Sequence, residues 1–202
     1  VLLSPEPDEA RALRFADGRT TPDGRWFVCV HEQHGADRTE AANSLIAVAT
    51  DGSMEMLTVA SGADFYASPR ISPDGRQVAW IQWMHPNMPW DSTELWLAEL
   101  ADGRASNGRR LAGDGDEALQ QPEWHADGTL TVVTDRTNWW NLYDVDLATG
   151  DLSHRTGADN DIVEPHWMFG GSRYTQGDHV VGGPNGDRLG SGVDLPYTSI
   201  RS

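Results

Sequence analysis

Short apolar runs, separated by polar breaks rich in Gly, Pro and Asp, set the pattern of this chain. Gln77-Val78-Ala79-Trp80-Ile81-Gln82-Trp83 is nearly continuous in apolar residues, as expected of a strand buried on both faces. Trp26-Phe27-Val28-Cys29-Val30 has the same character. Thr93–Leu100 alternates instead, with Leu95, Leu97 and Glu99 on one face and Trp96, Ala98 and Leu100 on the other, which is the period of a strand. Twenty-one Gly and eleven Pro suit short strands joined by tight turns. Helix is nearly absent from this reading.

The breaks repeat. Thr21-Pro22-Asp23-Gly24, Ser72-Pro73-Asp74-Gly75 and His125-Ala126-Asp127-Gly128 each feed an apolar run, and their aspartates lie 51 and 53 residues apart. A degenerate fourth copy, Met168-Phe169-Gly170-Gly171, follows 43 residues on, and Pro165-His166-Trp167 stands in the register of Pro122-Glu123-Trp124. The order of parts is the same each time. In the middle copy Pro69–Ile71 is a first strand, 77–83 a second, 93–100 a third, and an outer fourth strand surrounds Arg109-Arg110-Leu111. In the first copy Trp26–His31, Asn43–Val48 and Met54–Thr58 take the last three places; in the third, Leu130–Thr134, Asn141–Leu147 and Leu152–Thr156 do. Strands and turns recurring at about 40–50 residues predict an all-β β-propeller. The expected units are 13–62, 63–116 and 117–158 as whole four-stranded blades. Residues 1–12 are the tail of a preceding blade, 159–193 a degenerate partial blade without a clear third strand, and 194–202 the start of a further strand. Closed rings usually hold four to eight blades, so the chain is expected to be an arc of a larger ring. Such an arc leaves apolar blade faces uncovered, so self-association, a homo-oligomer included, is an expectation too.

Composition narrows the partners. The formal charge is −16, and all fifteen basic residues are Arg. A surface so acidic repels phosphate backbones, which argues against nucleic acid. No apolar run reaches the roughly 18 residues that span a bilayer, so no membrane is expected. Cys29 is the single cysteine and reads as a buried structural thiol. With no disulfide framework, a reducing, cytoplasmic location is the expectation.

Chemistry-bearing residues are few. His31-Glu32-Gln33-His34 superficially invites a zinc reading, but H-E-x-x-H needs its histidines four apart on a helix. These lie three apart at a strand end, and no metal or cofactor is expected. Asp114-Gly115-Asp116-Glu117 and Asp159-Asn160-Asp161 offer oxygen ligands, yet solvated loops between blades account for them. His85, Asn87 and Trp90 sit on a long loop, Met84–Ser92, rich in Pro and Met. Exposed loops on rigid scaffolds carry recognition, although Pro86, Pro89 and Trp90 could equally stiffen the neighbouring blade. Arg136 beside Trp139 and Trp140 has the fork geometry to hold a peptide carboxylate or acyl oxygen. It could instead stack on an aromatic or pair with Asp135 or Asp144.

Two segments are more specific than any turn. Trp83–Trp96 and Gln121-Pro122-Glu123-Trp124 followed by Asp135–Tyr143 closely resemble the propeller of dipeptidyl-aminopeptidase/acylaminoacyl-peptidase-like serine peptidases in the prolyl oligopeptidase family. Asp64–Arg70, Glu164–Gly170 and Asp194–Ser199 fit as well. The resemblance implies an α/β-hydrolase domain C-terminal to this segment, with a Ser-Asp-His triad facing the ring. It also implies a propeller that admits short peptides and holds their N-terminal part. His85, Asn87, Trp90, Arg136 and Trp139 are the substrate-facing candidates. The sequence has no G-x-S-x-G elbow; Ser172 and Ser191 both miss its spacing. No catalytic residue is therefore assigned, and the peptidase chemistry would belong to the parent protein. A rival of another class is a TolB-like propeller module that binds a protein partner. It shares the Ser-Pro-Asp-Gly turn but lacks the two long segments.

Overall fold

In the computed structural model, residues 2–7, 9–35, 40–113, 115–172, 174–175, 180–182 and 187–189 are described. Three four-stranded antiparallel sheets follow one another, each a meander in chain order. Blade I holds β1 (Leu13–Thr20), β2 (Trp26–Gln33), β3 (Ala42–Ala49) and β4 (Met56–Ser61). Blade II holds β5 (Phe65–Ile71), β6 (Gln77–Trp83), β7 (Glu94–Ala101) and β8 (Arg104–Ala112). Blade III holds β9 (Leu119–Trp124), β10 (Leu130–Thr134), β11 (Asn141–Val145) and β12 (Leu152–His154). A three-stranded sheet follows, of β13 (Tyr174–Thr175), β14 (Val180–Gly182) and β15 (Asp187–Leu189).

The second strand of each blade is apolar on both faces because both faces are packed. Val28, Val30, Leu45 and Ala47 of blade I meet Tyr66, Val78, Trp80, Ala98 and Leu100 of blade II. The opposite face of blade II, through Ala79, Ile81, Leu95 and Leu97, meets Leu119, Leu130, Val132 and Tyr143 of blade III. The alternation along β7 thus sends Leu95 and Leu97 one way and Ala98 and Leu100 the other. Each fully buried Leu, Ile or Val contributes about 1.5–3 kcal/mol by leaving water. These two seams are the core that holds the blades together.

The repeated turn explains itself chemically. Thr21 Oγ1 donates to Asp23 Oδ1 at 2.5 Å and Arg25 N to the same oxygen at 3.0 Å. Ser72 Oγ and Arg76 N do the same to Asp74 Oδ1 at 2.6 and 3.1 Å. These bonds hold both carboxyls below the usual range. Gly24 and Gly75 follow at φ of 71° and 75°, where a residue without Cβ is favoured.

Several strand bounds differ from the sequence expectation. β5 starts four residues before Pro69, because Phe65, Tyr66 and Ala67 pair with Trp83, Gln82 and Ile81 ahead of the bulge, and β8 runs from Arg104, because backbone pairing with β7 continues where the side chains are polar. The fourth unit departs further. Pro165-His166-Trp167 and Met168–Gly171 do not open a blade but lie in the link before β13, and Asp187–Leu189 supplies the third strand that the polar sequence did not show. The link earns its apolar residues another way: Ile162 and Val163 fill a core with Ala118, Val133, Trp140, Leu142 and Tyr174. The expected strand in 194–202, with Asp114, Arg173 and Ser191, lies outside the described residues.

Candidate functional site

Because every sheet is an up-and-down meander, its hairpins fall alternately at two ends. One end carries the short turns at 21–25, 50–55, 72–76, 102–103, 125–129 and 146–151. The other gathers the longer connections at 34–41, 84–93 and 135–140 with the links between blades. Contacts across blades agree with that sorting. Arg25 pairs with Asp102 at 2.8 Å at the turn end, while Asn43 Nδ2 donates to Asp64 O at 2.6 Å at the loop end. All five candidate residues stand at the loop end.

They do not form one cluster. His85 is exposed, and its backbone N–H donates to Asp64 Oδ2 at 2.9 Å; the peptide to Pro86 is cis. Asn87 N donates to Met84 O at 3.0 Å and Met88 N to Asp91 Oδ2 at 2.9 Å, so the loop is built from local turns. Trp90 packs against the core at the far side of blade III and lies 4.4 Å, centroid to centroid, from Trp167. Trp167 is 66% exposed and is followed by the exposed Met168 and Phe169. Sequence reasoning placed Trp167 in a strand and so missed this pair. Trp139 is 40% exposed. Among the described residues, no hydrogen bond or ring contact joins His85 or Asn87 to Arg136 or Trp139.

Arg136 has its partner already. Its Nε lies 3.3 Å from Glu117 Oε1, an oxygen that also accepts from Thr134 Oγ1 at 2.8 Å, and its guanidinium sits 5.8 Å over the Tyr143 ring. The ion pair is with Glu117 rather than with Asp135 or Asp144. Asp144 is taken by Arg155 at 2.7 Å. Asp135 instead receives the Ala118 N–H at 2.9 Å. Burial pushes its carboxyl above the usual range, and nearby Glu117 and Asp161 push the same way.

A second arrangement, unforeseen in sequence, runs along the first strands of the blades. β1, β5 and β9 each carry a bulge, at Asp17-Gly18, Ser68-Pro69 and Gln121-Pro122. Asp17, Ser68 and Gln121 have φ of 49°, 53° and 46°. Pro is tolerated there because a bulge residue owes the ladder no N–H. Ser68 N donates to Asp17 Oδ2 at 2.6 Å. Arg70, 4% exposed, reaches Asp17 Oδ1 at 3.6 Å and Glu123 Oε1 at 2.9 Å, while Trp124 Nε1 donates to Arg70 O at 3.0 Å. Gln121 Nε2 donates to Ser172 Oγ at 3.2 Å and to Tyr174 O at 2.9 Å. One chain of polar contacts therefore ties four successive units. Its legible signal was the 51- and 53-residue spacing shared by Asp17, Ser68 and Gln121.

The other sequence candidates stay apart. Glu32 and His34, whose Nε2 lies 3.5 Å from Glu32 Oε2, line one cavity, while His31 faces Phe15 on the other side of β2. Among the described residues no group of three His, Cys, Asp or Glu is placed to hold a metal ion. Burial pushes the Cys29 thiol up to about 12, which leaves it a poor nucleophile. No helix of the described residues is long and apolar enough to cross a membrane.

No protein-family model matches the chain. A puromycin-hydrolyzing peptidase of Mycobacterium tuberculosis superposes with a TM-score of 0.83 at 32% identity, over 96% of this chain and 33% of that one. A puromycin hydrolase gives 0.82 at 33%, over 93% and 32%. The probable dipeptidyl-peptidase 5 of Aspergillus flavus is 23% identical over 171 residues, 79% of this chain and 23% of its own length. TolB from Acinetobacter baumannii, at 15% identity and a TM-score of 0.57, shares the fold alone. The chain thus spans about a third of the peptidase structures it matches and about a quarter of the curated relatives.

Proposed function

Since the chain matches the propeller region of prolyl oligopeptidase-family peptidases, we propose that it is the non-catalytic, substrate-filtering part of a serine peptidase acting on short peptides. The observation that carries this reading is one-third identity sustained over nearly the whole chain but over only a third of the peptidase chains. The remaining length of such a protein has room for the Ser nucleophile, His base and oxyanion hole that acyl transfer needs. The parent is an enzyme of aminopeptidase or acylaminoacyl-peptidase type.

The blades act by shape. Seams of interlocked apolar side chains and the Asp17–Arg70–Glu123 contacts make a stiff wall. Its loop end, carrying Trp90, Trp139 and Trp167, faces the hydrolase domain and meets the peptide. Aromatic faces bind apolar side chains without demanding a sequence. Arg136, neutralised by Glu117, holds the loop that presents Trp139 rather than taking the peptide's charge.

The test uses the full-length protein that contains this chain and a ladder of peptides of rising length. Short peptides should be cleaved and long ones spared, and Trp139→Ala should raise KM several-fold with kcat nearly unchanged, the mark of lost ground-state binding. Equal turnover of long and short peptides would remove the filtering role. No hydrolysis of any peptide by the intact protein would remove the peptidase reading.

A further inference from the structure

We infer that Asn107-Gly108, on the outer strand of blade II, is a self-modifying site, at which Asn107 loses its side-chain nitrogen as ammonia and becomes aspartate or isoaspartate. The chain has seven asparagines, and two of them, Asn107 and Asn185, precede glycine. Asn185 lies outside the described residues. After the other five, a Cβ crowds the backbone nitrogen that must reach the asparagine's side-chain carbonyl carbon; Gly108 carries none and lets the two approach.

The fold places this pair where the ladder does not hold it. Pairing between β7 and β8 steps from Leu97 opposite Arg109 to Glu99 opposite Ser106, so Asn107 and Gly108 stand together against Ala98 without register partners of their own. The step is a bulge with Asn107 at φ 54°, a conformation that asparagine tolerates better than most residues. β8 is the last strand of its sheet. Both residues are exposed and line a cavity of about 530 Å³ that opens between blades I and II, so water reaches them. Asn107 Nδ2 donates to Glu99 Oε2 at 3.0 Å, a bond on the leaving nitrogen that does not cover the carbonyl carbon. Asn141 is the contrast: it is fully buried, its Nδ2 donates to Ala158 O at 3.0 Å, and its Oδ1 accepts from Thr156 Oγ1 and Ala158 N, both at 3.1 Å.

The chemistry needs only water. The Gly108 backbone nitrogen gives up its proton and attacks Asn107 Cγ; the Cγ–Nδ2 bond breaks, and ammonia leaves carrying that proton. The succinimide so formed is opened by water. Opening at Cγ gives aspartate with the backbone unchanged, and opening at the Asn107 backbone carbonyl gives isoaspartate, with the chain rerouted through the side chain. Either way the nitrogen of Gly108 recovers a proton and the protein gains one carboxylate, beside Glu99, where an amide donor stood.

This inference stands apart from the peptidase reading, because it is tested without any substrate. The folded full-length protein containing this chain is held at neutral pH and body temperature for weeks, alongside a synthetic peptide of residues 103–112. Samples are cut after arginine, and the Ala105–Arg109 fragment is followed by chromatography, by mass, and by methylation with an isoaspartyl methyltransferase. Asn185 falls in a different fragment and is read separately. The Asn107 fragment should convert to a mixture of aspartate and isoaspartate, at a rate within several-fold of the free peptide. Gly108→Ala should slow conversion several-fold or more. Its new Cβ would lie 3.9 Å from Trp80 and 4.0 Å from Ala98, ordinary contact distances, so the strand accepts it. Asn107 staying intact in the folded protein while the peptide converts would overturn the inference. So would aspartate without isoaspartate, which bypasses the succinimide, or a Gly108→Ala protein that converts as fast. The comparison of protein with peptide needs no variant, so a variant that misfolds leaves the test intact.

Discussion

His31 shows how much one side chain depends on its neighbours. From sequence it was half of a failed zinc motif; in the fold it is 9% exposed beside Phe15, with Nδ1 3.4 Å from Ser44 Oγ and Nε2 buried without a partner among the described residues. Burial lowers its pKa below the ordinary 6.5, and burial also lowers that of His125, with Arg155 adding to it. Both rings are therefore neutral at pH 7. The sign of the linkage follows: above about 6.5 neither state binds the proton, and as pH falls below that value the unfolded chain takes it up while the fold resists. Stability should be flat above pH 6.5 and decline from there through the depressed native values. His31→Phe should make that decline shallower, leaving the share of His125, as read from melting temperatures between pH 7 and 5. An unchanged slope would show that His31 is solvated after all. None of this was visible in the chain itself, where a histidine at a strand end carries no mark of which face it takes.

Among the elements, the second strands were the most legible and the first strands the least. β2, β6 and β10 announce themselves as apolar runs because both their faces are buried. β1, β5 and β9 hide behind polar residues whose burial is paid in ion pairs and hydrogen bonds. Arg70 is the clearest case: its side chain is 5% exposed, and Asp17, its partner from β1, is 0% exposed. Removing one member of a buried pair strands the other, at roughly 3–5 kcal/mol. Arg70→Ala should cost about that much in chemical denaturation, and the double change Asp17→Asn with Arg70→Met should recover a good part of it. A loss under about 1 kcal/mol, the range of a surface pair, would show that the contact does not clasp the blades. Trp90 and Trp167 belong to this scale too. Their residues lie 77 positions apart, and only the path of the link after blade III brings the rings together.

For the molecule as a whole, the link from 155 to 172 matters more than its irregular backbone implies. Ile162 and Val163 are 3% and 2% exposed because they close the far face of blade III over Val133, Trp140 and Leu142. Ending the chain at residue 158 should uncover that face, giving a protein that binds a hydrophobic dye and self-associates in sedimentation where the longer chain does so less. Equal behaviour of the two would show that the link is dispensable. The sequence by itself determined the all-β class and the three four-stranded meanders, because turn chemistry and hydrophobic period are local properties written in neighbouring residues. Tertiary structure decided the rest: the fourth sheet's start at Tyr174, the clasp around Arg70, the gathering of long loops at one end, and the pairing of Arg136 with Glu117. Each of these joins residues from different strands or loops, and no local pattern encodes which distant group fills a bulge or neutralises a charge.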